Sequence, residues 1–465
     1  MGDPTDWFLT PAERGNSATR IDDAHPGRAW SSGNDVEVLI DGREYFAALY
    51  RALRTTRAGD AVYFTDLEGN TDEILDGPGT ALGDVFAGIA GRGVAVSGLV
   101  WRAHPGNLNE AANVDLATMV NEAGGEVLLD NRIRRGGSHH QKLVVLRRAD
   151  RTVDDIAFLG GIDLANGRND DGDHGGDPQR ALLSESDYGP TPPWHDVQLQ
   201  LRGPAVDDIA TTFRERWDDP SPLDTPNPLR VWQRLRSQHP REPNPLTSEP
   251  RVTPGDGPLS VQVLRTYPAR RVGYPFAPEG ERSIARAYAK VFARAHRLIY
   301  LEDQFLWSFD AATAIAAALR RSPDLRVICV LPRYPDPGGP ILGRGSDVGR
   351  ARVQQELFDA GGERVAVYDV ENTDGVPIYV HAKVCIVDDE WMSVGSDNLN
   401  RRSWTHDSEV SCAIVDTAGT PDGDTLARRT RLRLASEHLQ LRDADTIVDP
   451  VPWFEAFRDA AAGLD

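Results

Sequence analysis

The sequence predicts an α/β protein built as two fused α-β-α sandwich domains related by pseudo-two-fold symmetry, with one site at their interface. Three observations lead there. The apolar runs are short and continuous rather than alternating, as expected of strands covered by helices on both faces. They alternate with helix-like text, the pattern of layered α/β domains. The whole series also occurs twice in the same order, and each copy closes on a His-x-Lys triplet.

The first copy opens with a strand at 36–41 (VEVLID), followed by helical REYFAALYRALRTT. Its counterpart is VQVLRTY at 261–267, followed by SIARAYAKVFARA. Next come AVYFTDL at 61–67 and RLIYLEDQFL at 297–306, each trailed by apolar helical text. VAVSGLVW at 94–101 answers LRVICVLPR at 325–333, and EVLLDN at 126–131 answers RVAVYDV at 364–370. Each series ends with HQKLVVL or HAKVCIV, then AFLGGIDL or MSVGSDNL. Between the copies, residues 220–258 hold ten of the 32 prolines, the signature of a connector draped over the surface. The expected organisation is a first half over 1–219, a connector over 220–258 and a second half over 259–465.

With 465 residues the chain is long enough for two cores. Hydrophobic residues make up 40% and charged residues 26%, which excludes a disordered chain. No apolar run approaches the roughly 20 residues needed to span a bilayer. MGDPTDWFLT has no basic-then-apolar leader, so a cytoplasmic protein is expected. The formal charge of -20 speaks against non-specific binding to nucleic acid or to an anionic membrane. Cys329, Cys385 and Cys412 lie in apolar strand text without a CxxC pair, so buried free thiols are expected.

Lysine use is informative. Only three of the 51 basic residues are lysine: Lys142, Lys290 and Lys383. Two of them follow a histidine by two positions, His140 and His381, where chance would give roughly 0.07 such pairs. A site that needs a compact ammonium rather than a guanidinium explains their survival. In a strand, residues i and i+2 share a face, so each triplet presents an imidazole beside an ammonium. The Gly160-Gly161 and Gly395-Ser396 pairs that follow allow close approach of a ligand or a second backbone. Asn398 adds a neutral amide donor. Two such sets facing each other form a cage for anionic oxygens with two proton-transfer groups, the parts that phosphodiester chemistry needs. No histidine–carboxylate spacing calls for a catalytic metal, and no cofactor is expected. His139 reads as structural, Asp163, Asn400 and Ser408 as network or turn residues, and Trp194 and Trp404 as packing. The acidic, Gly-rich stretch 168–180 reads as a solvated loop.

These residues resemble the phospholipase D superfamily, whose mark is two HxKxxxxD motifs. The second copy matches throughout: HAKVCIVD, GSDNLNRRSW and HDSEV, with YLEDQFL similar to the family's tyrosine–glutamate–glutamine strand. In the first half, HHQKLVVL, FLGGIDLANGR, PWHDVQLQLRGPAV and FRERW resemble the phosphatidylcholine-hydrolysing branch. The resemblance covers roughly residues 36–219 and 259–445, and implies two phospholipase D-type domains and a ping-pong mechanism. It implies that His140 attacks phosphorus and that His381 protonates the leaving alcohol and then deprotonates water or an acceptor alcohol. By position, Asp196 would orient His140 and Glu409 would orient His381. Lys142, Lys383 and Asn398 would bind phosphoryl oxygens, and Gly161 and Ser396 would line the floor. Asp388 would be the motif's structural aspartate.

One departure stands out: the first motif has Arg147 where the aspartate belongs. Strand parity points Arg147 away from the phosphate, into solvent or onto Asp150 or Asp154, with Arg147→Ala lowering stability modestly and Arg147→Asp tolerated. The expected reaction is hydrolysis of a phospholipid or other phosphodiester, with transphosphatidylation as a side path. Transient contact with a membrane surface, no nucleic-acid partner and a monomer are expected. The alternatives are a superfamily nuclease, a cardiolipin-synthase-like phosphatidyltransferase and a non-catalytic phosphate- or lipid-binding homologue. Net charge weighs against the first, missing membrane anchors against the second, and retention of both His-Lys pairs against the third.

Overall fold

The computed structural model describes residues 4–102, 110–179, 183–223, 243–248, 250–334, 340–417, 423–441 and 449–462. Residues 224–242 and 249 of the expected connector, and residue 180, lie outside this set. The strands are β1 (Ser31–Ile40), β2 (Ala61–Asp66), β3 (Ala95–Trp101), β4 (Glu126–Asp130), β5 (Leu143–Arg147), β6 (Ile156–Gly160), β7 (Trp194–His195), β8 (Val197–Arg202) and β9 (Leu259–Tyr267). They continue as β10 (Glu281–Arg282), β11 (Leu298–Glu302), β12 (Arg326–Val330), β13 (Val365–Tyr368), β14 (Tyr379–Val380), β15 (Val384–Val387), β16 (Trp391–Gly395) and β17 (Glu409–Asp416).

One 15-stranded sheet runs in the order β13-β12-β11-β15-β16-β17-β9-β1-β8-β6-β5-β2-β3-β4, with β10 on β9. The duplication read from sequence appears here as a palindrome. From the outer edge inward, β13, β12, β11, β15, β16, β17 and β9 answer β4, β3, β2, β5, β6, β8 and β1. The two halves meet where β1 and β9 pair antiparallel, Ser31 opposite Val261, Ser32 opposite Ser260 and Asn34 opposite Leu259. The register slips at Gly33, whose φ is +89° and where a Cβ would come within 2.5 Å of the Gly255 carbonyl oxygen.

Continuous apolar strands follow from the layering. Along β2, Ala61 and Tyr63 enter a core shared by both halves, whereas Val62 and Phe64 enter a core of the first half alone. The shared core packs Phe213 and Trp217 of helix Ala205–Trp217 and Leu434 of helix Leu426–His438 against β8, β9 and β15. A third core, with Ile284, Leu319 and Leu357, belongs to the second half. Residues 4–30, placed in the first half by sequence order, straddle the two: Trp7, Phe8 and Leu9 enter the core of the second half and Arg14 bonds the Val263 carbonyl and Glu281, while Thr19 and His25 bond Glu215 and Asp208 of helix Ala205–Trp217. The described connector residues follow helix Ala205–Trp217, with Trp217 Nε1 donating to Asn244 O at 2.8 Å.

β2, β3 and β4 are parallel, as are β11, β12 and β13, and β5 and β15 run against them. β5 therefore begins where β2 ends, with Leu143 opposite Thr65, and β15 begins where β11 ends, with Val384 opposite Glu302. Each His-x-Lys triplet lies just before its strand rather than within the ladder. Lys142 Nζ donates to His140 O at 3.2 Å, and Lys383 Nζ donates to His381 O, so these carbonyls serve the lysines and not a neighbouring strand. The triplets thus sit at the carboxyl ends of parallel strands, where open α/β sheets place ligands.

At the far ends of β5 and β15 the halves diverge. Asp388, at φ +55°, accepts the backbone N–H groups of His296, Arg297 and Leu298 at 3.0, 2.8 and 2.8 Å, tying β15 to the start of β11. In the first half the acid stands on the opposite strand. Asp60, just before β2, accepts the Ala149 N–H at 2.9 Å and Arg148 Nη1 at 3.3 Å. Arg147 is released from that role and is buried, 3% exposed, with Nη1 2.5 Å from Asp207 and Nε 3.5 Å from Asp155. The expected partners Asp150 and Asp154 are replaced by Asp207 of helix Ala205–Trp217 and by Asp155, the residue directly after Asp154, and the side chain does not reach solvent. Removing one partner of a buried pair leaves the other charge uncompensated. Arg147→Ala is expected to cost about 3 kcal/mol of unfolding free energy, measured by chemical denaturation. Arg147→Asp, expected from sequence to be tolerated, should be worse, because it sets three carboxylates together; a stability at or above wild type would refute this account.

Candidate active site

Two short parallel contacts carry the site across the interface. β7 pairs with β14, Val380 beside His195, and the His381 N–H donates to His195 O at 2.8 Å. By the same geometry His139 bridges to Ser408, and the His140 N–H donates to Ser408 O at 3.0 Å. Each histidine is thereby laid beside the acid that follows its bridge partner in the other half. Nδ1 of His381 lies 2.6 Å from Asp196 Oδ2, and Nδ1 of His140 lies 2.8 Å from Glu409 Oε2. The expected pairing of Asp196 with His140 and Glu409 with His381 is therefore reversed. Closeness in sequence yields to register across the interface.

The residues read as a ligand floor serve these acids instead. Ser396 Oγ donates to Glu409 Oε2 at 2.5 Å and accepts the Val410 N–H at 3.1 Å. A Cβ on Gly161 would come 2.1 Å from Asp196 Oδ1, so glycine there makes room for the shorter acid. Asn398 is buried; its N–H donates to Ser403 Oγ at 3.1 Å, and its side-chain oxygen has no partner among the described residues. Lys142 Nζ lies 3.1 Å from Asp163 Oδ1. Burial works against charge throughout. With Lys142 it holds His140 down to about 3, with Lys383 it holds His381 well below the ordinary range, and it lowers Lys383 to about 8. Burial, with Asp407 nearby, lifts Glu409 to about 8, and burial raises Asp196. Both lysine charges are felt at both histidines, as one shared site requires.

Several readings change. Trp194 is part of the wall: its ring lies 4.9 Å from that of His381, and the Arg168 guanidinium sits 3.9 Å over it. Trp404 does pack, stacked on Tyr288 at 5.6 Å. Asn400 caps helix Arg401–Thr405, and Ser408 accepts Arg216 Nη1 at 2.9 Å, both network residues. His139 is fully buried beside Arg216 and Asp130 and held neutral by burial. The 168–179 segment is solvated only in part, at Gly172, Asp173, Gly175 and Pro178. Asp170, His174 and Asp177 are buried, and Asp170 accepts the N–H groups of Trp194 and Gly176.

Behind Asp196 lies a group that sequence order disperses. Ligand atoms of Asp41, His174, His195 and Glu437 lie within 4.8 Å of one another. His195 Nδ1 is 3.0 Å from Asp41 and 2.9 Å from Glu437, and His174 Nε2 is 3.4 Å from Glu437. His195 Nε2 and His438 Nε2 both lie 2.9 Å from Glu302. Two imidazoles and two carboxylates with orphaned buried atoms suit a divalent cation. Without one, the carboxylates keep His174 protonated up to about 10, against the cost of its burial. The signals in the sequence were Asp41 and His174, both at positive φ, +65° and +50°, but φ is not legible from residue type.

Residues 72–311, about half of the chain, match the family described as Phospholipase D, and residues 289–424 match Cardiolipin synthase, PLD-like domain. Phospholipase D alpha 1 of Arabidopsis thaliana is 26% identical over 430 residues, covering 70% of this chain and 52% of that protein. Phospholipase D alpha 4 of the same plant is 24% identical, covering 88% and 65%. The chain thus spans about half the length of the first of these relatives. Among solved structures, phosphatidylserine synthase of Haemophilus influenzae Rd KW20 superposes with a TM-score of 0.57 at 15% identity, covering 96% of this chain and 98% of that one, and so shares the fold.

His139, His140 and His381 stay neutral when folded, whereas the unfolded chain protonates them near 6.5. For these three groups the unfolded state binds more protons below that pH, so each draws stability down as pH falls, whereas His174 and Glu409, whose folded affinity for a proton is raised, act in the opposite sense. Removing one group isolates its share: His381→Asn is expected to raise Tm at pH 5.5 relative to pH 7 when compared with the wild-type chain, and an unchanged pH dependence would refute the burial argument. After EDTA treatment, at least one of calcium, manganese and zinc is expected to raise Tm, and His174→Ala to remove the rise. No response to any ion would show that protonated histidines alone balance these acids.

Proposed function

Because the chain belongs to the phospholipase D superfamily, we propose that it is a phosphodiesterase cleaving phospholipid to phosphatidic acid and free headgroup alcohol through a phosphohistidine. One observation carries this reading: two imidazoles, each anchored at Nδ1 by a buried carboxylate and each beside a buried lysine. Anchoring Nδ1 leaves Nε2 of His140 to attack phosphorus; the P–N bond forms as the P–O bond to the headgroup breaks. With the anionic diester bound and favouring the imidazolium, His381 delivers a proton to that departing oxygen, then takes one from water as a new P–O bond forms and the P–N bond breaks. Lys142, Lys383 and Asn398 stabilise the phosphoryl oxygens in a site where burial strengthens each interaction. The relatives named phospholipase D support a lipid substrate, and net charge -20 disfavours a nuclease. An alcohol in place of water would make the same site a phosphatidyltransferase, a reading supported by the match to the cardiolipin synthase family. One chain supplies both halves of the site, so a monomer touching the membrane surface transiently is sufficient.

Phosphatidylcholine, phosphatidylglycerol, a water-soluble aryl diester and single-stranded DNA, offered with and without EDTA, test the class; turnover of none overturns it. The crossed pairing makes a sharper prediction. His140→Ala and Glu409→Gln should both suppress phosphoenzyme formation from the aryl diester in rapid-quench labelling. His381→Ala and Asp196→Asn should still form it, since the leaving group needs little acid help, and should hydrolyse it about 100-fold more slowly or worse. Label on His381 would reverse the two roles.

A further inference from the structure

The two halves of the phosphate cradle are equivalent in backbone but not in charge. Leu164 N–H donates to Asp66 Oδ2 at 3.2 Å, and Leu399 N–H donates to Asp303 Oδ2 at 2.7 Å, so Asp66 answers Asp303 and the residues before the leucines answer each other. Those residues are Asp163 and Asn398. One half offers a neutral amide; the other offers a carboxylate, buried and 3.1 Å from Lys142 Nζ. Among the described residues Lys383 has no such partner and donates to the His381 carbonyl.

The carboxylate is held ionised. Burial alone would neutralise it, but Lys142 and Arg168 keep its titration well below the usual carboxylate range, while neighbouring Asp66 carries the raised affinity for a proton. An ionised carboxylate accepts hydrogen bonds and cannot donate one to a phosphoryl oxygen. At this position it cannot do what Asn398 does, and its charge opposes any anion in the cradle. That opposition grows with the anion's charge. A phosphodiester carries one negative charge; a phosphate monoester, the product class of hydrolysis, carries close to two at neutral pH.

We propose that Asp163 is a specificity-determining residue that sets the cradle's charge, so that a monoanionic diester is held in preference to a dianionic monoester and the product is driven out. The assignment rests on the phosphodiesterase reading above. It gives the departure from two-fold symmetry a role: the lysines and Asn398 hold the phosphoryl group common to substrate and product, and Asp163 tells them apart by charge. Lys142 stays positioned, because its partner is a fixed carboxylate that the substrate need not displace.

The test is calorimetric titration with phenylphosphonate, a dianion, and its monomethyl ester, a monoanion of the same shape. The wild-type chain should bind the dianion no more tightly than the ester at pH 8. Asp163→Asn, which makes the two halves alike, should tighten binding of the dianion about tenfold and of the ester about threefold or less. Should Asp163→Asn melt early, the wild-type chain suffices: its preference for the ester over phenylphosphonate should grow from pH 5 to pH 8 as the latter loses its second proton. Equal gains for both ligands in Asp163→Asn, or a wild-type chain that binds the dianion more tightly at pH 8, would overturn the proposal and leave Asp163 as a mere anchor for Lys142. Binding needs no turnover. Inactivity on every diester would refute the phosphodiesterase reading alone, while these titrations still report on Asp163.

Discussion

Each imidazole of the site is oriented by a carboxylate from the other half of the chain, and this crossed anchoring is the constraint on which the rest depends. An Nδ1–carboxylate contact of 2.6 or 2.8 Å tolerates little relative movement of the halves. The architecture meets that demand with a sheet that does not stop at the boundary. β1 and β9 pair at the pseudo-two-fold axis, one apolar core runs across both halves, and residues 4–30 bridge the two, Trp7 to Arg14 on the second half and Thr19 to His25 on the first. The parallel bridges Val380–His195 and His139–Ser408 then bring histidine and acid side by side. Halves tethered only by a linker would move independently and could not keep this geometry.

Within the symmetric frame, paired positions have diverged in compensating ways. Glu409 is matched by the hydroxyl of Ser396, and the shorter Asp196 by the bare backbone of Gly161. The structural aspartate of the second motif, Asp388, is answered by Asp60 on the opposite strand, which frees the first-motif position for Arg147 and its own buried acids. Arg147 is thus a relocated tether rather than a lost one, and its chemistry stays away from the phosphate. The Asp163–Asn398 pair is the one divergence that falls inside the cradle.

The site also has a foundation. Asp196 follows His195, which is wedged among Asp41, Glu302 and Glu437, and Glu302 reaches on to His438. The segment 168–179, read from composition as solvated, buries Asp170, His174 and Asp177 because they cap backbone N–H groups and complete this cluster. Acid content marks a solvated loop only when no buried donors need it.

Much of this protein was determined by the sequence alone. The strand series, its repetition and the two His-x-Lys triplets were legible because strand burial and duplication are written locally, in runs of apolar residues and in the order of motifs. Lys142 and Lys383 stood out because lysine is otherwise almost absent. Asn398 followed from the same local patterns, and Asp388 from the resemblance of HAKVCIVD to the family motif. What only the tertiary structure decided is which groups face each other across the chain. Glu409 meets His140 from 269 positions away, Asp207 meets Arg147 from 60, and Asp41, His174, His195 and Glu437 converge from four separate segments. Such contacts are set by register between distant strands and by the twist that brings the halves together. A local sequence pattern cannot encode either, because the same pattern is compatible with acids pairing within a half or across it.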